Sequence, residues 1–194
     1  FGFGALRATA HDGPLTFREE GFGRLDLGEG EEALDGAVDL QLGLELFRSS
    51  PRLRWGGFVH LRGGAESASG ERGDPIGVIE AYGELTATLP QSMRLRLRAG
   101  AFLPPTSREN VDALWATPYT ISFSARNSWI AEEVRWLGLS AEAIVPTGSI
   151  DEVRFGGAAL GGADASGSLL AWRGWSIGER LIGVGEWVPL PPLD

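Results

Sequence analysis

The chain contains no cysteine and no lysine, so all 17 of its basic residues are arginine. The absence of cysteine excludes disulfide frameworks, zinc–thiolate sites and thiol catalysis. Its 26 acidic residues outnumber the basic ones and give a net charge of −9. Binding to nucleic acid depends on neutralising phosphates, and no basic tract offsets this acidic balance, so we expect no nucleic-acid partner.

Long apolar runs are also missing. No stretch of about 18 apolar residues occurs, so the sequence predicts no transmembrane helix, and only a β-barrel would be left as a way to span a membrane. The chain opens on Phe1-Gly2-Phe3-Gly4 without an initiator methionine or a signal peptide. We interpret it as a processed product or as part of a longer chain.

Residues suited to catalysis are scarce. His11 and His60 are the two histidines, and neither stands in a motif with a nucleophilic serine or in a metal-binding pattern. Glu80 and Glu84 lie four residues apart on one predicted strand, about 13 Å, which exceeds the carboxylate separation of glycoside hydrolases. We therefore expect no enzyme activity, no metal and no cofactor.

The clearest positive signal is an alternation of charge between residues 93 and 102. Arginines occupy the even positions 94, 96 and 98, whereas leucine and alanine occupy the odd positions 95, 97, 99 and 101. Side chains alternate between the two faces of a strand, so an extended chain places every arginine on one face. We call Arg94, Arg96 and Arg98 the arginine ladder, and the segment is predicted to be a strand.

The same alternation recurs along the chain. It predicts strands at 1–10, 36–47, 52–64, 78–89, 134–145 and 153–159, and a weaker pattern at 169–177 predicts an eighth. Glu80 and Glu84 fall on the polar face of their strand and are expected beside the arginine ladder. Small residues are frequent on the apolar face, at Gly57, Ala81, Gly83, Ala99 and Ala101.

Short and long connections alternate between these strands. Residues 48–51, 90–92 and 146–150 form tight turns by composition, whereas 11–35, 65–75 and 104–130 are long. This layout, with strands of about ten to thirteen residues, is typical of outer-membrane barrels. The sequence predicts an all-β, antiparallel up-and-down transmembrane β-barrel, with residues 1–194 forming one barrel region and 104–130 an extracellular or inward-folded loop.

An alternative fold uses the same apolar faces differently. A soluble β-sandwich or jelly-roll would bury them against a second sheet. Such a domain would be a carbohydrate-binding module, with sugars stacking on Trp115, Tyr119 and Trp129. This second reading stays open at the level of the sequence.

Two segments carry a resemblance to a known family. Residues 104–110 (PPTSREN), Trp115, residues 118–120 (PYT) and residues 124–134 (SARNSWIAEEV) resemble a segment of largely uncharacterised porin-like outer-membrane proteins of proteobacteria. Residues 169–175 (LLAWRGW) are similar to a later segment of the same group. The resemblance implies a barrel of about sixteen or more strands, of which about eight lie in this chain as its N-terminal half.

The charged positions then suggest a function. A row of arginine and glutamate across a water-filled lumen would select solutes by charge and size, which predicts passive diffusion of small polar or anionic solutes across the outer membrane. The expected partners are outer-membrane lipid, lipopolysaccharide and these solutes, and a homo-oligomer is compatible with the resemblance although no interface can be identified. The predicted pore-lining residues are Arg52, Arg54, Arg62, Glu80, Glu84, Arg94, Arg96 and Arg98; the predicted constriction-loop residues are Arg108, Glu109 and Asp112.

Overall fold

The computed structural model describes residues 2–11, 33–66, 74–103, 114, 135–148, 151–161 and 182–186. The described strands form one antiparallel sheet in which each strand pairs with its neighbours in sequence. The strands are β1 (Gly2–His11), β2 (Ala33–Ser49), β3 (Leu53–Glu66), β4 (Ile76–Thr88), β5 (Arg94–Phe102), β6 (Trp136–Pro146) and β7 (Glu152–Leu160). The prediction of an all-β, antiparallel up-and-down architecture is confirmed. Within the described residues the sheet is open, because β1 and β7 are its two edges.

The strand lengths follow from the alternating sequence. The strands contain between 9 and 17 residues, whereas strands of soluble proteins usually have about five or six. The seven strands predicted between residues 1 and 159 all form, with ends that differ from the predicted ones by a few residues. The predicted eighth strand at 169–177 and the loop at 104–130, apart from Leu114, lie outside the described residues.

Tight connections lie at one end of the sheet. They comprise residues 50–52, 89–93 and 147–151. The strand ends that flank the long connections 12–32, 67–75 and 103–135 lie at the other end, as predicted. We call these the short-turn end and the long-loop end. Backbone hydrogen bonds close the tight connections: Ser50 N–H to Leu53 C=O at 2.7 Å, Leu89 N–H to Met93 C=O at 2.7 Å, and Thr147 N–H to Asp151 C=O at 3.0 Å.

The register carries the alternation of one strand onto the next. Arg98 lies opposite Glu84 on β4 and Ser140 on β6. Leu97 lies opposite Leu85 and Ala141 in the same way. Polar positions therefore meet polar positions across the sheet, and this gives the sheet one polar face and one apolar face.

The ladder between β3 and β4 contains one irregularity. His60 pairs with Glu80 but the next residue, Leu61, pairs with Val78, so Ile79 has no partner on β3. An extra residue of this kind is a β-bulge, which bends the strand and leaves a backbone group outside the ladder. The bulge lies near the long-loop end, where most of the deeply buried side chains are found, including Phe58, Phe102 and Ile79 itself.

Candidate functional site

The two faces of the sheet have an inverted pattern of burial. On the apolar face, Leu46 is 79%, Phe155 is 65% and Leu139 is 60% exposed. On the polar face, His60 is fully buried and Glu84 is nearly so. Soluble sheets usually bury the apolar face against a second layer, but all the described strands belong to a single sheet. The polar face is therefore the candidate functional site.

The polar face has two halves that differ in composition. The short-turn half is charged and comprises Arg54, Glu84, Thr86, Arg94, Arg96, Arg98, Ser140, Glu142, Glu152 and Arg154. The long-loop half is aromatic and polar and comprises Asp39, Gln41, Glu45, Phe58, His60, Arg62, Glu80, Tyr82, Phe102 and Trp136.

Glu84 lies at the centre of the short-turn half. Its carboxylate accepts a hydrogen bond from Arg98 Nε at 2.9 Å and one from Arg54 Nη1 at 3.3 Å. Arg96 Nε lies 4.0 Å from the same carboxylate. Only 6% of the Glu84 side chain is exposed, against 46% for Arg54. The carboxylate is thus covered by guanidinium groups that remain accessible.

Two further carboxylates complete the ion pairs of this half. Glu142 accepts from Arg96 Nη1 at 3.1 Å. Glu152 accepts from Arg94 Nη2 at 2.7 Å and from Arg154 Nε at 2.8 Å. Five guanidinium groups therefore share three carboxylates, so positive charge exceeds negative charge by two in the short-turn half.

Arginines of this half also lie over aromatic rings. The Arg98 Cζ atom is 4.9 Å from the centre of the Tyr82 ring, and the Arg54 Cζ atom is 3.8 Å from the centre of the Phe47 ring. A guanidinium over a ring face is attracted by the negative potential of the ring. These contacts hold the two side chains in place while their charges face the same side of the sheet.

In the long-loop half, a row of rings crosses four strands. Phe58 on β3 and Tyr82 on β4 have ring centres 5.3 Å apart. Tyr82 to Phe102 is 6.3 Å, and Phe102 to Trp136 is 6.0 Å, both with edge-to-face geometry. Offset and edge-to-face contacts of this kind contribute beyond simple burial. The aromatic row (Phe58, Tyr82, Phe102, Trp136) separates the charged half from the buried polar groups beyond it.

The buried polar groups beyond the row form a connected cluster. His60 Nε2 is 2.8 Å from Gln41 Oε1, and His60 Nδ1 is 3.9 Å from Glu80 Oε2. The other Glu80 oxygen accepts the backbone N–H of Leu103 at 2.8 Å. Glu80 therefore joins the strand β3 histidine to the end of β5, where the long connection begins.

At the bulge, the backbone carbonyl of Ile79 accepts a hydrogen bond from an arginine in a different part of the chain. Arg135 Nη1 donates to the Ile79 carbonyl at 2.8 Å and to the Ile182 carbonyl at 2.6 Å. Val184 N–H donates to the Val78 carbonyl at 2.7 Å, so residues 182–186 lie alongside β4 beyond the end of β5. Arg135 is buried and directly precedes β6. Strand β4 thus anchors both ends of the connection between β5 and β6.

Most of the predicted lining residues share the polar face. Arg54, Arg62, Glu80, Glu84 and the arginine ladder all lie there, whereas Arg52 is exposed in the connection before β3. The predicted pairing with the ladder is confirmed for Glu84 and is wrong for Glu80, which lies beside His60 and Leu103 because β5 has reached Phe102 at that height. Arg108, Glu109 and Asp112, together with Trp115, Tyr119 and Trp129, lie outside the described residues.

Several residues of the site were missed at the level of the sequence, among them three charged residues of the short-turn half and Arg135. Glu142, Glu152 and Arg154 complete the ion pairs of the short-turn half, and the alternation of β6 and β7 already places the first and third on the polar face. Arg135 gave no such signal because it precedes its strand and its partners are distant in sequence.

Comparison with other proteins gave no match to a family model, to a curated protein or to a solved structure. No described helix is long and apolar enough to cross a membrane. Among the described residues no three histidine, aspartate or glutamate side chains are grouped so that they could hold a metal ion.

Proposed function

We propose that this sheet is part of a porin-like β-barrel of the outer membrane. Its apolar face would contact lipid, and its polar face would line a water-filled channel for passive diffusion of small polar or anionic solutes. The observation that carries the proposal is the inverted burial of the two faces, with leucine, tryptophan and phenylalanine outside and paired charges inside. Lipid-facing apolar residues that alternate with polar residues facing the lumen are the pattern of transmembrane barrels.

Strand geometry supports the same proposal. A strand that crosses the membrane at a tilt needs about nine to eleven residues, and no described strand is shorter than nine. Tight turns at one end and long connections at the other are also usual in such barrels. A soluble sandwich would leave the exposed leucines of β2 without a covering layer unless other parts of the chain supplied one.

The charges of the short-turn half support a preference for anions. The guanidinium groups that cover Glu84 are more accessible than the carboxylate beneath them. Fixed charges that line a narrow aqueous path select permeant ions of opposite sign. We therefore expect the channel to conduct chloride more readily than potassium.

The first test uses the complete protein refolded in detergent. A closed barrel should migrate differently on a gel before and after boiling, and the protein should fractionate with the outer membrane. A soluble, folded product without a boiling-dependent shift would contradict the proposal and favour the carbohydrate-binding alternative, which quenching of tryptophan fluorescence by sugars would then examine.

The second test is electrical. In planar bilayers with a potassium chloride gradient, the wild-type channel should show a reversal potential that reports anion preference. The substitution Arg98→Glu should move this potential towards cation preference. Arg48 supplies a matched control, since Arg48→Glu makes the same charge change on the apolar face at the short-turn end and should leave selectivity unchanged. Equal shifts in the two variants would show that the polar face does not line the conducting path.

A further inference from the structure

The short-turn half offers hydrogen-bond donors that its own carboxylates do not use. A guanidinium carries five N–H donors. Toward the carboxylates of the described residues, Arg94 donates through Nη2, Arg54 through Nη1 and Arg96 through Nη1. The Nε of Arg96 is buried and lies 4.0 Å from Glu84, so the donors open to a solute are the remaining Nη groups of these partly exposed side chains. The cluster therefore has donors available for another acceptor.

Hydroxyl groups lie among the same arginines. Thr86 is the register partner of Arg96, but its Oγ1 already donates to Glu84 Oε1 at 3.4 Å. Ser140 is the register partner of Arg98, and its hydroxyl donates to none of the three carboxylates described in this half. Hydroxyls donate hydrogen bonds without adding charge. Guanidinium and hydroxyl donors that converge on one place suit an acceptor with several oxygens.

The charges of the cluster set the valence of that acceptor. Five arginines and three glutamates leave an excess of two positive charges in this half. The long-loop half does not share this excess, because its Arg62 is buried and pairs with Asp39. The Arg62 Nε atom lies 3.3 Å from Asp39 Oδ1. A divalent anion would neutralise the short-turn half, whereas a monovalent one would neutralise it only in part.

From these observations we propose that Arg54, Arg96 and Arg98, with Ser140, form a binding site for a small divalent oxyanion of the phosphate or sulfate type. The proposal deepens the proposed function, because such an anion would be the solute class that the channel takes up, and it rests on that function for its physiological meaning. The site itself requires only that the polar face is open to water.

Substitutions at Glu84 and at Arg98 should change the anion affinity in opposite directions. Glu84 is the carboxylate that Arg54 and Arg98 already hold. Replacing it with neutral glutamine keeps its size and raises the positive charge of the site, so anion affinity should rise. Replacing Arg98 with glutamine removes a guanidinium donor, so affinity should fall. General damage to the fold would lower affinity in both variants.

The experiment measures binding of sodium phosphate to the complete, detergent-purified protein by isothermal titration calorimetry, with sulfate and chloride as separate arms. Phosphate and sulfate should bind saturably and more tightly than chloride. Arg98→Gln should weaken phosphate binding about tenfold, and Glu84→Gln should strengthen it about fivefold. Arg48→Gln, which removes the same charge from the apolar face, should leave the affinity unchanged. The boiling-dependent gel shift checks that each variant is folded.

Three outcomes would overturn the site: no saturable phosphate or sulfate binding by the folded wild type, equal affinity in the wild type and Arg98→Gln, or equal losses in Arg98→Gln and Arg48→Gln. Channel recordings of the same preparations keep the two proposals apart. Channels that conduct without binding phosphate would refute the oxyanion site alone. Phosphate binding that responds to Arg98 and Glu84 in a protein that opens no channel would support the site and refute the proposed transport.

Discussion

The two halves of the polar face use similar residues for different purposes. In the long-loop half, Phe102 and His60 are fully or almost fully buried, and the Glu80 carboxylate accepts a hydrogen bond from the Leu103 backbone N–H. In the short-turn half, more than two fifths of the Arg54 and Arg94 side chains are exposed. Charge alternation along a strand thus identifies the face of a residue but not its burial.

The difference in burial between the two halves indicates which residues stabilise the fold and which can select solutes. Buried rings and buried polar groups are costly to disturb, because a substitution there leaves a cavity or removes a hydrogen-bond partner inside the fold. Exposed ion pairs contribute little to stability and remain available to solutes. We therefore expect substitutions in the long-loop half to change the free energy of unfolding, and substitutions in the short-turn half to change ion binding.

The largest effect should come from the aromatic row. Phe102→Ala removes a fully buried ring between Tyr82 and Trp136 and should lower the free energy of unfolding by about 3–5 kcal/mol. Leu160→Ala is the control, since Leu160 lies on the same face but is exposed, and it should change stability by less than about 0.5 kcal/mol. Urea titration followed by tryptophan fluorescence measures both; equal losses would show that the row is not a core.

Both halves should lie on one water-facing side of the sheet, and substitutions at two neighbouring alanines test this. Ala158 and Ala159 are both exposed on β7 but lie on the polar and apolar faces respectively. In lipid vesicles, Ala159→Arg should destabilise the protein by about 2–4 kcal/mol, because a charge would enter hydrocarbon. Ala158→Arg should be nearly neutral. If the two variants were equally stable, the apolar face would not be in contact with lipid.

A smaller difference in stability is expected between substitutions of an arginine at the long-loop end and one at the short-turn end. Arg135→Gln leaves at least one of the two buried carbonyls of Ile79 and Ile182 without its donor, which should cost about 1–3 kcal/mol of unfolding free energy. Arg154→Gln removes an exposed guanidinium from Glu152 and should cost clearly less. Hydrogen exchange should also accelerate at residues 182–186 in the first variant alone; unchanged exchange there would argue against the role of Arg135 as an anchor.

The smallest effect should come from Glu152→Gln. Glu152 pairs with Arg94 and Arg154, and all three side chains are accessible. The substitution should lower the urea midpoint slightly at low salt and not at all at about 1 M salt, where the screening length is about 3 Å. A salt-independent loss would mean that these charges are more buried than the short-turn half as a whole.

Local alternation accounts for most of what could be predicted. The parity of Arg94, Arg96 and Arg98 correctly placed all three on one face, and the short connection before them made Glu84 a neighbour. The same turn gives Thr88 opposite Arg94, and counting upwards from that pair puts Glu80 at the height of Phe102. The correct position of Glu80 was therefore within reach of the sequence, although alternation alone placed it with the ladder.

The remaining features depend on contacts between distant segments. The two consecutive apolar residues Val78 and Ile79 interrupt the alternation at the bulge. The Ile79 carbonyl, however, is satisfied by Arg135, 56 residues away, and no local pattern indicates that contact. Residues 182–186 pack beside β4 although their own sequence has no strand pattern. His60 contacts Gln41 within its own hairpin and also Glu80 on the next strand, so the hairpin alone does not define its surroundings.

The central claim is that the apolar face meets lipid while the polar face meets water, and a spin-label scan of β5 tests it most directly. The chain has no cysteine, so single cysteines can be introduced at each position from 94 to 99 and labelled without background. In lipid vesicles we predict that labels at 95, 97 and 99 are accessible to oxygen, labels at 94, 96 and 98 are accessible to a water-soluble nickel chelate, and the two profiles alternate out of phase. Odd positions shielded from both reagents would place the apolar face in a protein core and contradict the account.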